Sequence, residues 1–172
     1  VLPPSLTALA ASSGFSLSAD VTPAQGGSPI RIGMTCSSTG SFALAAQSGL
    51  RGVEIWVEDV NSRGGIEVGG KKRKVELVKL DDRSDKTTVL KVYETLIKEE
   101  KVDLLFGPFG STLTSAAVNA SETSGKFMVI WSASADSIYA QGYKLVVSAA
   151  QIAGTLLGQP AVGQRELDGA ER

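Results

Sequence analysis

The sequence predicts an α/β domain built on a doubly wound, mostly parallel sheet of about five strands, and three observations carry that prediction. Short apolar runs rich in strand formers alternate four times with segments whose apolar residues recur at helical spacing. The connections between them are short, as in βα units rather than in bundles or sandwiches. The central run Val102, Leu104, Leu105 and Phe106 lacks the polar alternation of a surface strand, which marks a parallel strand covered on both faces.

Taken in order, Ile30, Ile32 and Met34 form a first strand that ends in the small polar loop Thr35-Cys36-Ser37-Ser38-Thr39-Gly40-Ser41. A helix from 43 to about 60 follows, because Val53, Trp56, Val57 and Val60 share one face. Asn61-Ser62-Arg63-Gly64-Gly65 closes it with the glycines that helix C-termini favour. Gly69-Gly70 reads as a tight turn, since two glycines tolerate positive φ. The next strand, 74–80, runs into Asp81-Asp82, which reads as a solvated strand end. Val89, Val92, Tyr93, Leu96 and Ile97 mark an amphipathic helix that leads into the central strand at Val102. That strand stops at Gly107-Pro108. Ser111 stands where a helix begins, with Leu113, Ala116, Ala117 and Ala120 spaced to form a small-residue face. Strand 127–131 gives way to the polar loop Ser132-Ala133-Ser134-Ala135-Asp136, and 144–148 supplies a fifth short strand.

Right-handed crossovers place every strand-to-helix loop of such a sheet at one rim. Loops 37–42, 109–112 and 131–136 therefore meet at the carboxyl edge, where open α/β sheets bind ligands. A helix N-terminus there offers unpaired N–H groups and about half a positive charge, so a carboxylate docks at Ser111 without a lysine. The plainer alternative is that Ser111 only caps its helix.

At 172 residues the chain suits one domain with a full core and is short for two. A net charge of -1 gives no electrostatic reason to expect nucleic acid or an anionic membrane as partner. The run Lys71-Lys72-Arg73-Lys74 reads as a solvated turn rather than a phosphate site. With no histidine and Cys36 as the single cysteine, the chain has no internal disulfide, no Cys/His zinc site and no Ser-His or Cys-His nucleophile pair of its own. No catalytic residues, metal or cofactor are assigned. Residues 1–28 read as a flexible leader or the remnant of a secretory signal, 29–148 as the ligand-binding lobe, and 149–172 as a divergent tail with an apolar, helical-looking piece at 152–157.

Several pieces stand in a recognisable order: Ile30-Arg31-Ile32-Gly33 with Thr39-Gly40, then Asn61-Ser62-Arg63-Gly64-Gly65-Ile66, then Asp81-Asp82 with Asp85. Gly107-Pro108-Phe109-Gly110-Ser111 and Ala133-Ser134-Ala135-Asp136 with Gly142-Tyr143 complete the series. Over about 30–148 they resemble the amino-terminal lobe of the periplasmic leucine/isoleucine/valine-binding proteins, the substrate-binding subunits of branched-chain amino acid ABC importers. The resemblance implies one lobe of a type I periplasmic binding protein that binds an amino acid, in the first place a branched-chain one, or a related amide, with a membrane permease as partner of the complete protein and a periplasmic or extracellular location. It also implies that Ser111 holds the ligand's α-carboxylate beside Gly110, that Ser134 touches carboxylate and ammonium, and that the backbone at Ser132 and Ala133 serves the same ligand. The chain departs from the family in having Ser134 for the commoner threonine, and Ala45 near where some members carry an aromatic. Family members also have a second lobe of similar size that closes over the ligand. A lone lobe leaves a face and a sheet edge open, which favours self-association.

Readings from other classes compete. The extracellular ligand-binding region of an amino-acid receptor has the same lobe architecture. A flavodoxin-like FMN protein is suggested by Ser37-Ser38-Thr39-Gly40-Ser41, which partly matches a phosphate-cradling loop, although Phe42 stands where its last hydroxyl belongs. A phosphate receiver on Asp81-Asp82 is disfavoured because these acids follow the second strand, and a P-loop because 107–112 contains no lysine.

Overall fold

The computed structural model describes residues 27–150, so nearly all of the leader expected at 1–28 and of the tail expected at 149–172, with its helical-looking piece at 152–157, lies outside the described residues. The elements run β1 (Ile30–Cys36), α1 (Ala43–Ser62), β2 (Ile66–Val68), β3 (Lys71–Arg73), β4 (Val75–Asp81), α2 (Lys86–Lys98), β5 (Leu104–Phe106), α3 (Gly110–Ser124), β6 (Met128–Ile130), α4 (Asp136–Tyr139) and β7 (Val146–Ser148). Five strands form one parallel sheet in the order β4-β1-β5-β6-β7. The direction of winding reverses at β1, so the crevice between the carboxyl ends of β1 and β5 is the topological switch point.

Strand alternation divides the core. Leu105, Met128 and Ile130 face Val89, Tyr93 and Leu96 of α2 and Leu113, Ala117 and Val118 of α3, and all are fully buried. Ile30, Ile32 and Val75, with Leu104 and Phe106 beside them, face Val57 and Val60 of α1. Helix α3 turns a broader face inward than the small-residue stripe predicts. Thr114, Val118 and Ser121 are buried with Leu113 and Ala117, while Ala116 and Ala120 sit at its margins.

Capping and glycine conformation account for three of the helix ends. The Asp85 carboxylate accepts from the Thr88 N–H at 2.7 Å and starts α2. Gly125 ends α3 with φ 68. Beyond α1, Gly65 has φ 101, and a Cβ there would meet the Arg73 carbonyl oxygen at 2.1 Å, so only glycine lets the helix end lie against β3. Gly69 and Gly70, with φ 60 and 74, form the predicted turn, and they join two strands that the alternation does not reveal, the antiparallel hairpin of β2 and β3. The central strand begins at Leu104 rather than Val102. Asp103 stops the ladder there, its carboxylate accepting from the Arg31 N–H while its own N–H donates to the Arg31 carbonyl. Among the described residues no helix is long and apolar enough to cross a membrane.

Candidate functional site

The three predicted loops do meet at the carboxyl edge. Phe42 packs on Phe109 with ring centroids 5.8 Å apart, and Phe109 on Trp131 at 5.9 Å, so one aromatic row joins the loops after β1, β5 and β6.

The β5–α3 loop is braced from the next strand. The Trp131 indole N–H donates to the Gly107 carbonyl at 2.6 Å, and the Ser132 hydroxyl oxygen accepts from the Gly110 N–H at 2.9 Å. Gly110 has φ 75, a left-handed conformation that a Cβ disfavours, and this turn sets Ser111 on the first turn of α3. The helix therefore starts one residue before Ser111. Its N-cap is Phe109 and no side chain caps it, which corrects the reading of Ser111 as a capping residue. Instead the Ser111 hydroxyl oxygen accepts from the N–H groups of Ser134 and Ala135, each at 3.2 Å.

That arrangement decides what Ser111 offers. A hydroxyl has two acceptor lone pairs and one donor hydrogen. Both acceptor sites are taken by backbone amides, so its remaining capacity is to donate, and two incoming hydrogen bonds polarise the O–H toward an anionic acceptor. Ser134 is exposed directly beside it, while Ala133 is fully buried and its carbonyl accepts from the Tyr139 hydroxyl at 2.6 Å. Gly110, Ser111, Ser132, Ala133 and Ser134 are thus brought together, with the Ser132 side chain spent on holding the loops. Ala45 is exposed on the first turn of α1.

The β1–α1 loop has its own clamp, and here the sequence reading of a solvated strand end fails. Asp82 is fully buried and accepts from the Ser37 hydroxyl at 2.6 Å and the Ser84 N–H at 2.8 Å. Asp81 accepts from the N–H groups of Ser38, Thr39 and Arg83 and from the Thr39 hydroxyl at 2.7 Å. Burial pushes the Asp81 carboxyl up, but these four hydrogen bonds outweigh it and hold the group below the usual carboxylate range. The Ser37 hydroxyl and the Ser38 and Thr39 amides that a flavin phosphate would need are therefore already given to carboxylates. The pattern of hydroxyls in that loop and of acids after β4 was visible in the sequence, but not that they pair. The parallel register that sets Cys36 opposite Asp81 brings them together. Among the described residues no group of three or more His, Cys, Asp or Glu is placed to hold a metal ion.

A doubly wound sheet whose hydroxyl-bearing loops meet at its carboxyl edge has the form of a ligand-binding α/β lobe. The chain belongs to the periplasmic binding protein family, whose model matches residues 29–166. It is 33% identical over 141 residues to the Leu/Ile/Val-binding protein homolog 7 of Brucella abortus, a match covering 82% of this chain and 34% of that one. The substrate binding protein LivJ of a branched-chain amino acid transporter from Streptococcus pneumoniae, solved with isoleucine, superposes with a TM-score of 0.65 and 27% identity, covering 72% of this chain and 34% of that one. A solute binding protein of an ABC transporter from R. palustris, solved with benzoate, gives 0.63 and 27%, covering 74% and 34%. The chain spans about a third of the length of these relatives.

Proposed function

We infer that residues 29–148 are the amino-terminal ligand-binding lobe of the substrate-binding component of an ABC importer, non-enzymatic, periplasmic or extracellular, and partnered in its complete form by a membrane permease. The ligand is a small carboxylate, in the first place a branched-chain amino acid. The observation that carries this reading is the Ser111 hydroxyl, whose two acceptor sites are filled by the Ser134 and Ala135 amides so that its proton is left to donate, at the uncapped start of α3. Ser134 supplies a second hydroxyl beside it, Gly110 gives the turn its shape, and the backbone at Ser132 and Ala133 completes the rim. The relatives solved with isoleucine and with benzoate support a carboxylate as the shared determinant.

A hydrogen bond to a charged group contributes about 1.5–3 kcal/mol when water is excluded. An open lobe does not exclude it, so two or three such bonds, after the cost of immobilising the ligand, leave roughly 4 kcal/mol, or about millimolar affinity. The test is a titration of the full chain with leucine and with leucinamide, followed by amide chemical shifts. Leucine is expected to shift the Ser111, Ser134 and Ala135 amides at millimolar concentration, and leucinamide, which lacks the carboxylate, to leave them in place. Equal responses to both, or an unchanged leucine response in Ser111→Ala, would overturn the reading.

A further inference from the structure

Beneath the carboxyl edge, on the face of the sheet that α2 and α3 close, lies a set of buried polar groups that apolar packing does not explain. Thr35 pairs with Leu80 in the β1–β4 register and shares its face, which packs into the core under these helices. Asp82 follows two residues beyond Leu80, and Tyr93 of α2 faces Thr35 within the field of Asp82. Thr35, Asp82 and Tyr93 are all fully buried. Two of their polar atoms lack a partner. Asp82 receives the Ser37 hydroxyl and the Ser84 N–H on Oδ1, and its Oδ2 receives no donor. The Thr35 Oγ1 likewise makes no hydrogen bond of good geometry. No ion pair among the described residues involves Asp82. A carboxylate oxygen and a hydroxyl enclosed without partners are costly, and folded proteins rarely keep them so.

We propose that this cluster binds one internal water molecule, which bridges Asp82 Oδ2, the Thr35 hydroxyl and the Tyr93 hydroxyl oxygen. The balance of donors and acceptors selects water. Burial pushes the Tyr93 hydroxyl well above its ordinary pKa, so it keeps its proton, gives it to the Phe106 carbonyl at 2.6 Å and leaves its oxygen free to accept. Asp82 Oδ2 is a second acceptor, and Thr35 has a hydroxyl hydrogen to donate. A water molecule gives two hydrogens and accepts one, so it satisfies all three groups, about the number of partners a buried water takes. An anion would meet two acceptors. A metal ion would leave the Thr35 hydrogen unused, and among the described residues no group of three or more His, Cys, Asp or Glu is placed to hold one. The bridge lies under the switch point. Thr35 belongs to β1, Asp82 to the β4–α2 loop and Tyr93 to α2, while Ser37, held on the other oxygen of Asp82, opens the β1–α1 loop. The water thus ties the base of that loop to α2 from within, as Asp81 holds it at the rim.

The test uses the full chain. A crystal structure fine enough to show ordered water is expected to place one water at about 2.6–3.2 Å from Asp82 Oδ2, Thr35 Oγ1 and the Tyr93 oxygen. In solution, oxygen-17 magnetic relaxation dispersion counts the long-lived internal waters. The count is expected to fall by one in Thr35→Val, which keeps the shape of the side chain and loses its hydroxyl, and to hold at the parent value in Thr35→Ser. A direct Thr35–Asp82 hydrogen bond with no density between the two residues overturns the proposal, and so does a peak with the short, numerous oxygen contacts of a metal ion. Equal dispersion in the parent and a folded Thr35→Val overturns it as well. If Thr35→Val fails to fold, as read by far-ultraviolet dichroism, the crystal structure of the unsubstituted chain decides by itself.

Discussion

The most consequential residues at the carboxyl edge are those whose hydrogen-bonding capacity is already partly used. Ser111 gives both acceptor sites to the β6–α4 loop, and Asp81 gives its carboxylate to the β1–α1 loop. Asp81 has its folded pKa below the ordinary value, so the stability it contributes is complete above about pH 4 and is lost as pH falls through the lower folded value. Asp81→Asn should therefore cost about 1 kcal/mol at neutral pH, less than a shielded hydrogen bond to a charged group contributes because water reaches this cluster. Urea midpoints measured down a pH series should show the difference between variant and parent closing in acid; a gap that stays constant to pH 2 would contradict the clamp. Gly110→Ala forces a Cβ into a left-handed conformation, which costs about 1–2 kcal/mol. Its leucine-induced amide shifts should weaken with its stability, because the same turn sets Ser111.

Elements differ in how much of them local periodicity reveals. β1, α1, α2, α3 and the runs around β5 and β6 carry enough consecutive apolar positions to declare their type and one buried face. β2 and β3 are three residues each and mostly exposed, so they exist through their pairing and their turn rather than through burial. α4 is four residues long, and the Ser132-to-Asp136 run that precedes and opens it reads as loop by composition. The Gly69-Gly70 turn gives a clean test, because both residues have positive φ in the manner of a hairpin turn that also accepts asparagine at its first position. Gly69→Asn should leave the thermal midpoint unchanged or slightly raised, since it restricts the unfolded chain. Gly69→Val should cost about 1 kcal/mol or more. In α1, Gly49→Ala must displace the Trp131 ring and its bond to Gly107, a steric cost of about 1–3 kcal/mol with a changed near-ultraviolet dichroism signal.

At the scale of the whole molecule, the lobe presents its donors on an open edge, and affinity follows from that openness. Calorimetry of the full chain with leucine should give heats too small to fit at micromolar concentration; a micromolar dissociation constant would mean that something already closes over Ser111. The order of the five sheet strands and three long helices, the carboxyl edge and the short list of loops that meet there follow from the amino-acid sequence, because hydrophobic period and turn chemistry act between residues close along the chain. Which way the Ser111 proton is left to point and the burial of Asp82 were settled only by the folded chain. Each depends on partners 22 to 45 residues away, brought into reach by strand register and crossover, and a pattern of apolar and polar residues carries no record of which donor meets which acceptor.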